Sequence, residues 1–262
     1  MFAHLVNPVN AVAGSELAVA QSITFASMRD ARANADVELL AAGFADENIA
    51  PEGFRATKPL VRSVLDEGTF SVPRRLPLIG DLIARLVDSS QADWLVYTNV
   101  DIGLRTDFYR ELARLSDEHD AFTINRRTIP ATPEQARDLA WLRAQPGEPH
   151  WGHDCFVFRR ELAAEMDLGA VCVGFPPVGQ LLVAVLSTLA ARFRVHEGLS
   201  LTFHANDERS WCDPRFDDYL VHNSRAALSA LDRLERKKPL SPLAEKVRAN
   251  IATRTYSSFA NW

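Results

Sequence analysis

Two polar residues, Asn99 and Asp101, follow directly on the run Trp94–Thr98 (WLVYT), which is apolar, aromatic or β-branched throughout and reads as a buried strand. An aspartate at the carboxyl edge of such a strand lies where α/β sheets bind ligands. If the pleat continues through Asn99-Val100-Asp101, both polar side chains leave on one face and Val100 returns to the core. A hard cation held by one or two carboxylates and by diphosphate oxygens suits that geometry. An Asx-type turn closing the strand accounts for the same residues without any ligand. His204 ends the run 199–203 (LSLTF) and offers an imidazole, a common ligand of divalent transition metals; a lone strand-end histidine is more often structural. Asp154, behind Gly152-His153, is a second carboxylate at a strand start, with a solvated strand-entry aspartate as the plain alternative. His150 and His153, three apart in a loop, read as incidental rather than as a metal pair.

The elements that must position these residues follow from periodicity and punctuation. Phe2–Val6 is a short first strand stopped by Asn7-Pro8, since proline cannot donate to a ladder. Ser15 caps a helix over 16–35, with Leu17, Ala20, Ile23, Thr24, Met28 and Ala31 at helical spacing. Residues 37–42 give a second strand. Residues 43–75 form a long, mostly irregular excursion with a short helix near 61–66. Pro77 starts a helix whose buried stripe is Ile79, Leu82, Ile83 and Leu86. After the strand at 94–98, Thr106 is read as the N-cap of a helix to about Glu118. Residues 120–125 (DAFTIN) are a further strand. Thr132-Pro133-Glu134-Gln135 is a capping box that predicts a helix to about Gln145, so that 126–150 becomes a helical insertion over the site. Residues 153–158 (HDCFVF) return as a strand. Pro176-Pro177 precede an apolar helix over 178–191; strands over 192–195 and 199–204 and two final helices over 216–238 and 243–256 complete the chain.

Composition bounds the function. The net charge of −5 over 262 residues argues against general nucleic-acid binding, which needs a basic face. Hydrophobic content of 47% and charged content of 24% are those of a globular protein with a sizeable core. Three cysteines, Cys155, Cys172 and Cys212, form no CxxC pair; a disulfide framework or structural zinc is not expected, and a reducing, cytoplasmic compartment fits. No signal peptide is visible, and no apolar run reaches the roughly 20 residues that span a bilayer.

Taken in order, these pieces resemble the GT-A fold of nucleotide-sugar-dependent glycosyltransferases. The matching parts are the first strand ending at Asn7-Pro8, the apolar strand ending in the DxD-like Asn99-Val100-Asp101, the Gly152-His153-Asp154 element, and the terminal strand ending in His204. The resemblance covers about residues 2–205. It implies an α/β, Rossmann-like GT-A domain over residues 1–262, with a mixed, mostly parallel sheet flanked by helices and with C-terminal helices. The nucleotide-binding half would run over about 1–105 and the acceptor-side half over 106–215, followed by helices over 216–262. The resemblance further implies a divalent cation, Mn or Mg, held by Asp101, Asn99 and His204. Asn7 and Pro8 would lie at the nucleobase and ribose, with Arg62, Asp81 and Arg209 toward the nucleotide or its diphosphate. Asp154 would orient or deprotonate an acceptor. The partners would then be a nucleoside-diphosphate sugar and an acceptor.

The chain departs from this pattern in two places. Asn99 stands where an acid is expected, and the segment 174–179 (GFPPVG) carries no acid. A nucleotidyltransferase is the alternative within the same fold neighbourhood, but the loop 10–15 (NAVAGS) has no lysine or arginine to meet phosphates. A non-catalytic binding protein on a degenerate scaffold is the third reading.

Overall fold

The computed structural model describes residues 1–33, 35–47, 50–206 and 210–253. In chain order the elements are β1 (Phe2–Val6), α1 (Glu16–Arg32), β2 (Val37–Ala41), β3 (Arg55–Ala56), α2 (Ile79–Ser89), β4 (Trp94–Thr98), β5 (Gly103–Leu104), α3 (Phe108–Glu118), β6 (Ala121–Ile129), α4 (Leu139–Ala144), β7 (Glu148–Arg159), α5 (Arg160–Ala163), α6 (Val178–Leu189), β8 (Phe193–His196), β9 (Thr202–Ala205), α7 (Asp217–Glu235) and α8 (Pro242–Thr253). Among these residues nine strands form one sheet, in the order β3-β2-β1-β4-β7-β6-β9-β5, with β8 also on β6. β1 is parallel to β2 and β4, while β7 runs antiparallel between β4 and β6. The expected mixed, mostly parallel α/β sheet is therefore present.

The central strands are buried along their whole length because helices cover both faces. On one face α6 lies across the sheet, with Leu181, Leu182, Val183, Val185 and Leu186 all buried. Each such side chain contributes roughly 1.5–3 kcal/mol of transfer free energy. α7 and α8 cover α6 in turn. On the other face α1 and α3 bury Met28, Phe108, Leu112 and Leu115 against Phe2, Trp94 and Phe122. Ser15 caps α1 by accepting from Ala18 N at 3.2 Å. Gln21 then pins the loop after β1, its side chain bonding both N (2.8 Å) and O (3.1 Å) of Val9. No helix among the described residues is long and apolar enough to cross a membrane.

Four local expectations are corrected. The helix after Pro77 begins at Ile79, with Leu78 as its cap; Pro77 instead bridges Ser63. Asp107, not Thr106, caps α3, without a side-chain bond. The capping box at 132–135 forms, Gln135 N donating to Thr132 Oγ1 (3.3 Å) and Thr132 N to Gln135 Oε1 (2.9 Å). It starts only a single 3-10 turn, and the chain is capped afresh by Asp138 before the short α4. Finally, 126–150 is not a helical insertion. β6 continues to Ile129 and β7 begins at Glu148, so the two strands extend as a long ribbon with α4 in its connection. The residues 126–129 (RRTI) lack a clean period, and only cross-strand pairing fixes them as strand. Of the final predicted helix, residues 254–256 lie outside the described residues.

Candidate active site

β4 delivers the central motif. The pleat does not continue past Thr98 as the sequence suggested. Residues 99–102 turn instead, closed by Ile102 N donating to Asn99 O at 3.3 Å. Below this turn, His4 of β1 joins Thr98 Oγ1 and the Tyr109 hydroxyl, each at 2.9 Å, in a fully buried triad. Burial lowers the His4 pKa to about 3, so the imidazole is neutral. With one N–H and one lone pair it serves both hydroxyls and fixes the end of β4.

The turn feeds β5, which pairs antiparallel with β9: Gly103 lies opposite Phe203 and Leu104 opposite Thr202. A Cβ on Gly103 would sit 2.5 Å from the Phe203 ring, so only glycine permits this approach. It brings Asp101, two residues before Gly103, to His204, one residue after Phe203. His204 Nε2 lies 3.2 Å from Asp101 Oδ2, while His204 Nδ1 bonds Asn206 O at 2.8 Å. Asn206 holds a left-handed backbone (φ 64°), secured by its N donating to Ile129 O and its Oδ1 accepting from Ala131 N, both at 2.9 Å. Burial on its own would raise the Asp101 pKa, but the hydrogen bond and charge of His204, with Arg126, hold the carboxyl below its usual range. Burial pushes His204 down, and the Asp101 bond and charge outweigh it and raise the imidazole pKa.

Asp101 Oδ1 is buried and has no hydrogen-bond partner among the described residues. A buried carboxylate oxygen left unpartnered is costly, and an imidazole anchored through Nδ1 presents Nε2 for ligation. These two groups fit a divalent cation that draws its remaining oxygens from water and a diphosphate. No cluster of three or more His, Cys, Asp or Glu gathers among the described residues, so protein atoms alone would not complete the shell.

Asn99 turns toward Asp154. Its Nδ2 donates to Asp154 Oδ1 at 2.9 Å, and its backbone N to Asp154 O at 3.2 Å. The other carboxylate oxygen pairs with Arg126 Nη1, and Arg126 Nη2 meets His150 Nε2 at 3.3 Å. Asp154 is only 8% exposed. The sequence does not single out Arg126, because 126–150 reads there as an insertion; the signal it does carry is a basic residue two positions after Ile124, where the apolar run of β6 ends. His150 and His153 part company: His153 Nδ1 bonds Asn125 Oδ1 at 3.2 Å, and burial lowers its pKa. The acid-free segment 174–179 reaches the same place, since a Cβ on Gly179 would lie 2.6 Å from His153 O.

Asn7 ends β1 one strand over from Asn99. Its side chain is buried and donates to Ala42 O at 2.7 Å, tying the ends of β1 and β2 together. Pro8 lines a cavity of about 80 Å³ with Ala42, Phe44, Ala56, Thr57 and Pro59. Arg62 and Asp81 form a bidentate ion pair with each other (2.8 and 2.9 Å), with Glu67 3.3 Å from Arg62, and do not join the Asp101 cluster. Arg209 lies outside the described residues.

No family model and no curated protein matches the sequence. Solved structures match in fold. S. aureus TarS (residues 1–349) aligns with a TM-score of 0.55 at 11% identity, over 99% of this chain and 73% of that one. Its complex with UDP aligns with a TM-score of 0.54 at 10% identity, over the same shares. The mannosyltransferase PcManGT from Pyrobaculum calidifontis, in complex with GDP-Man and Mn2+, aligns with a TM-score of 0.54 at 12% identity, over 96% of this chain and 70% of that one. The chain thus shares its fold with TarS and with the mannosyltransferase PcManGT.

Proposed function

We propose that this chain is a nucleotide-sugar-dependent glycosyltransferase, transferring a sugar from a nucleoside-diphosphate donor to an acceptor hydroxyl. The observation that carries the reading is the Asp101–His204 pair at the carboxyl edge of β4, with Asp101 Oδ1 buried and unpartnered among the described residues. Asp101 and His204 would hold a divalent cation, which when bound supplies positive charge to the diphosphate leaving group. The nucleoside would lie at the ends of β1 and β2, where doubly wound sheets take such ligands; the cavity of about 80 Å³ beside Pro8 marks that edge but is too small to enclose a nucleoside. The fold neighbours crystallised with UDP and with GDP-Man support a nucleotide donor.

In the transfer, the acceptor oxygen bonds the anomeric carbon, and the bond from that carbon to the diphosphate oxygen breaks. Asp154 receives or orients the acceptor proton, and Asn99 and Arg126 hold its carboxylate in place. A non-catalytic binding role is favoured by one observation: both carboxylate oxygens of Asp154 are already engaged. A nucleotidyltransferase remains the weaker alternative, given the uncharged loop 10–15.

The test is thermal denaturation with UDP, GDP, ADP and dTDP, with and without Mn2+. At least one nucleotide should raise Tm, more so with Mn2+, and Asp101→Ala should abolish the Mn2+-dependent part. If no nucleoside diphosphate raises Tm in either condition, the donor reading fails. Nucleotide stabilisation without transfer or hydrolysis of any donor would favour the binding role.

A further inference from the structure

We propose that the cavity between the loop 67–70 and α7 is a second binding site, taking a small molecule that carries a phosphate or carboxylate group. It shares no residue with the Asp101 cluster or with the cavity beside Pro8, and it stands independently of the glycosyltransferase reading. Its volume is about 470 Å³, within the range of small-molecule sites.

One wall is a single face of α7, along which Asp218, His222, Arg225 and Ala226 recur at helical spacing. Gly68, Thr69 and Phe70 form the opposite wall. That loop is held against the helix at two points. Ser71 N donates to Asp218 Oδ2 at 2.5 Å, and the Phe70 ring stacks on Tyr219 with centroids 4.1 Å apart and planes 13° apart. Phe70 also meets His222 edge-on, with centroids 5.4 Å apart. These contacts form the cavity before any ligand arrives. Tyr219 stacks in turn on Phe175 (4.7 Å), in the segment 174–179 that reaches His153. The second site therefore lies one aromatic stack away from the candidate active site.

The charges around the cavity are unequally committed. Asp218 accepts from Ser71 N and, through Oδ1, from Tyr219 N at 2.9 Å, while Glu67 pairs with Arg62 at 3.3 Å. Arg225 has no ion pair or hydrogen bond among the described residues. The N–H groups of Gly68, Thr69 and Phe70 likewise meet no acceptor among them. His222 Nε2 donates to Ala170 O at 2.9 Å, and its Nδ1 lies on the side of Gly68. That nitrogen accepts from a hydroxyl when neutral and donates to an anion when protonated. The uncommitted charge is thus a guanidinium fork, which matches the two oxygens of a carboxylate or phosphate. Successive backbone N–H groups without acceptors favour the same sign of ligand. Phe70, Val221 and Ala226 offer an apolar face to its carbon body.

The test is isothermal titration calorimetry of the full chain with inorganic phosphate, glycerol 3-phosphate and lactate, and with glycerol as the uncharged comparison. At least one of the three anions should bind with a Kd of about 1 mM or below, and glycerol should not. The ratio of glycerol 3-phosphate to lactate affinity tells whether phosphate or carboxylate is the preferred group. Arg225→Gln should weaken the binding about tenfold or more, and Arg225→Lys less, since a lysine keeps the charge without the fork. Both variants should fold, because the guanidinium has no partner to lose. In long-range 1H–15N spectra the His222 imidazole, assigned with His222→Gln, should shift as the anion saturates. The proposal is overturned by any of four results: no anion bound at about 1 mM, unchanged affinity in Arg225→Gln, equal binding of glycerol, or binding that leaves His222 unmoved. Nucleotide-dependent stabilisation is read separately and reports on the donor reading alone.

Discussion

His204 Nε2 lies 3.2 Å from Asp101 Oδ2, although Asp101 sits in the turn between β4 and β5 and His204 on β9, about a hundred residues later in the chain. The pair exists because β5 and β9 close upon each other at Gly103 and Phe203. Asn206 O fixes the imidazole through Nδ1, so that Nε2 faces the Asp101 carboxylate, as a donor when protonated and with a lone pair when neutral.

Each member of the pair should therefore contribute to cation binding. Mn2+ titrations followed by electron paramagnetic resonance, with nucleotide present, should show affinity reduced about tenfold or more in both Asp101→Asn and His204→Gln. Asn206→Ala should weaken binding less, through the orientation of the imidazole. Equal Mn2+ affinity in wild type and Asp101→Asn would remove the cation from this site.

Gly103→Ala should destabilise the fold by about 1–3 kcal/mol, the usual cost of overpacking, because the new methyl would meet the Phe203 ring. Adding Phe203→Leu should recover part of the loss in urea unfolding. A neutral Gly103→Ala would mean that the β5–β9 contact is looser than described.

The Arg126–Asp154 pair is nearly enclosed, with side chains 12% and 11% exposed. Removing one partner leaves a buried charge uncompensated, so Arg126→Ala should cost about 3–5 kcal/mol. Asp154→Asn, which keeps an acceptor for Asn99 and Arg126, should cost less. In a double-mutant cycle the two alanine substitutions should cost less together than their sum; strict additivity would show that the groups are not coupled.

His4 gives the pH dependence. Its folded pKa is about 3, against 6.5 for the free side chain. Below pH 6.5 the unfolded chain takes up a proton that the folded chain refuses, so this residue lowers stability as pH falls toward 3. The slope is at most about 1.4 kcal/mol per pH unit. His4→Gln should be less stable than wild type at pH 7, and the gap should narrow between pH 6.5 and 4. A gap constant with pH would mean that His4 does not exclude its proton.

Much of the sheet was legible in the sequence. Trp94–Thr98 and Phe2–Val6 are continuous apolar runs, and such runs have few alternatives to a doubly covered strand. The apolar α6 and the Ser15 cap were equally plain. The extended halves of β6 and β7 were hidden, because 126–129 and 148–152 have mixed polarity and gain strand structure only from each other. The capping box at 132–135 misled for a related reason: its hydrogen bonds are local and real, but they do not determine how far a helix runs.

For the site, the sequence by itself placed Asn99 and Asp101 directly after the β4 run, because local composition sets where that strand stops. It read Asp154 as a strand start and His204 as a strand end, and the structure puts both inside strands, β7 and β9. Only the tertiary structure decided the partnerships. It gave Asp101 to His204, gave Asn99 and Arg126 to Asp154, and closed Arg62 and Asp81 upon each other. These pairings depend on sheet order, on a bulge and on the space left by glycines. Those are properties of how distant segments meet, which no local stretch of the chain encodes.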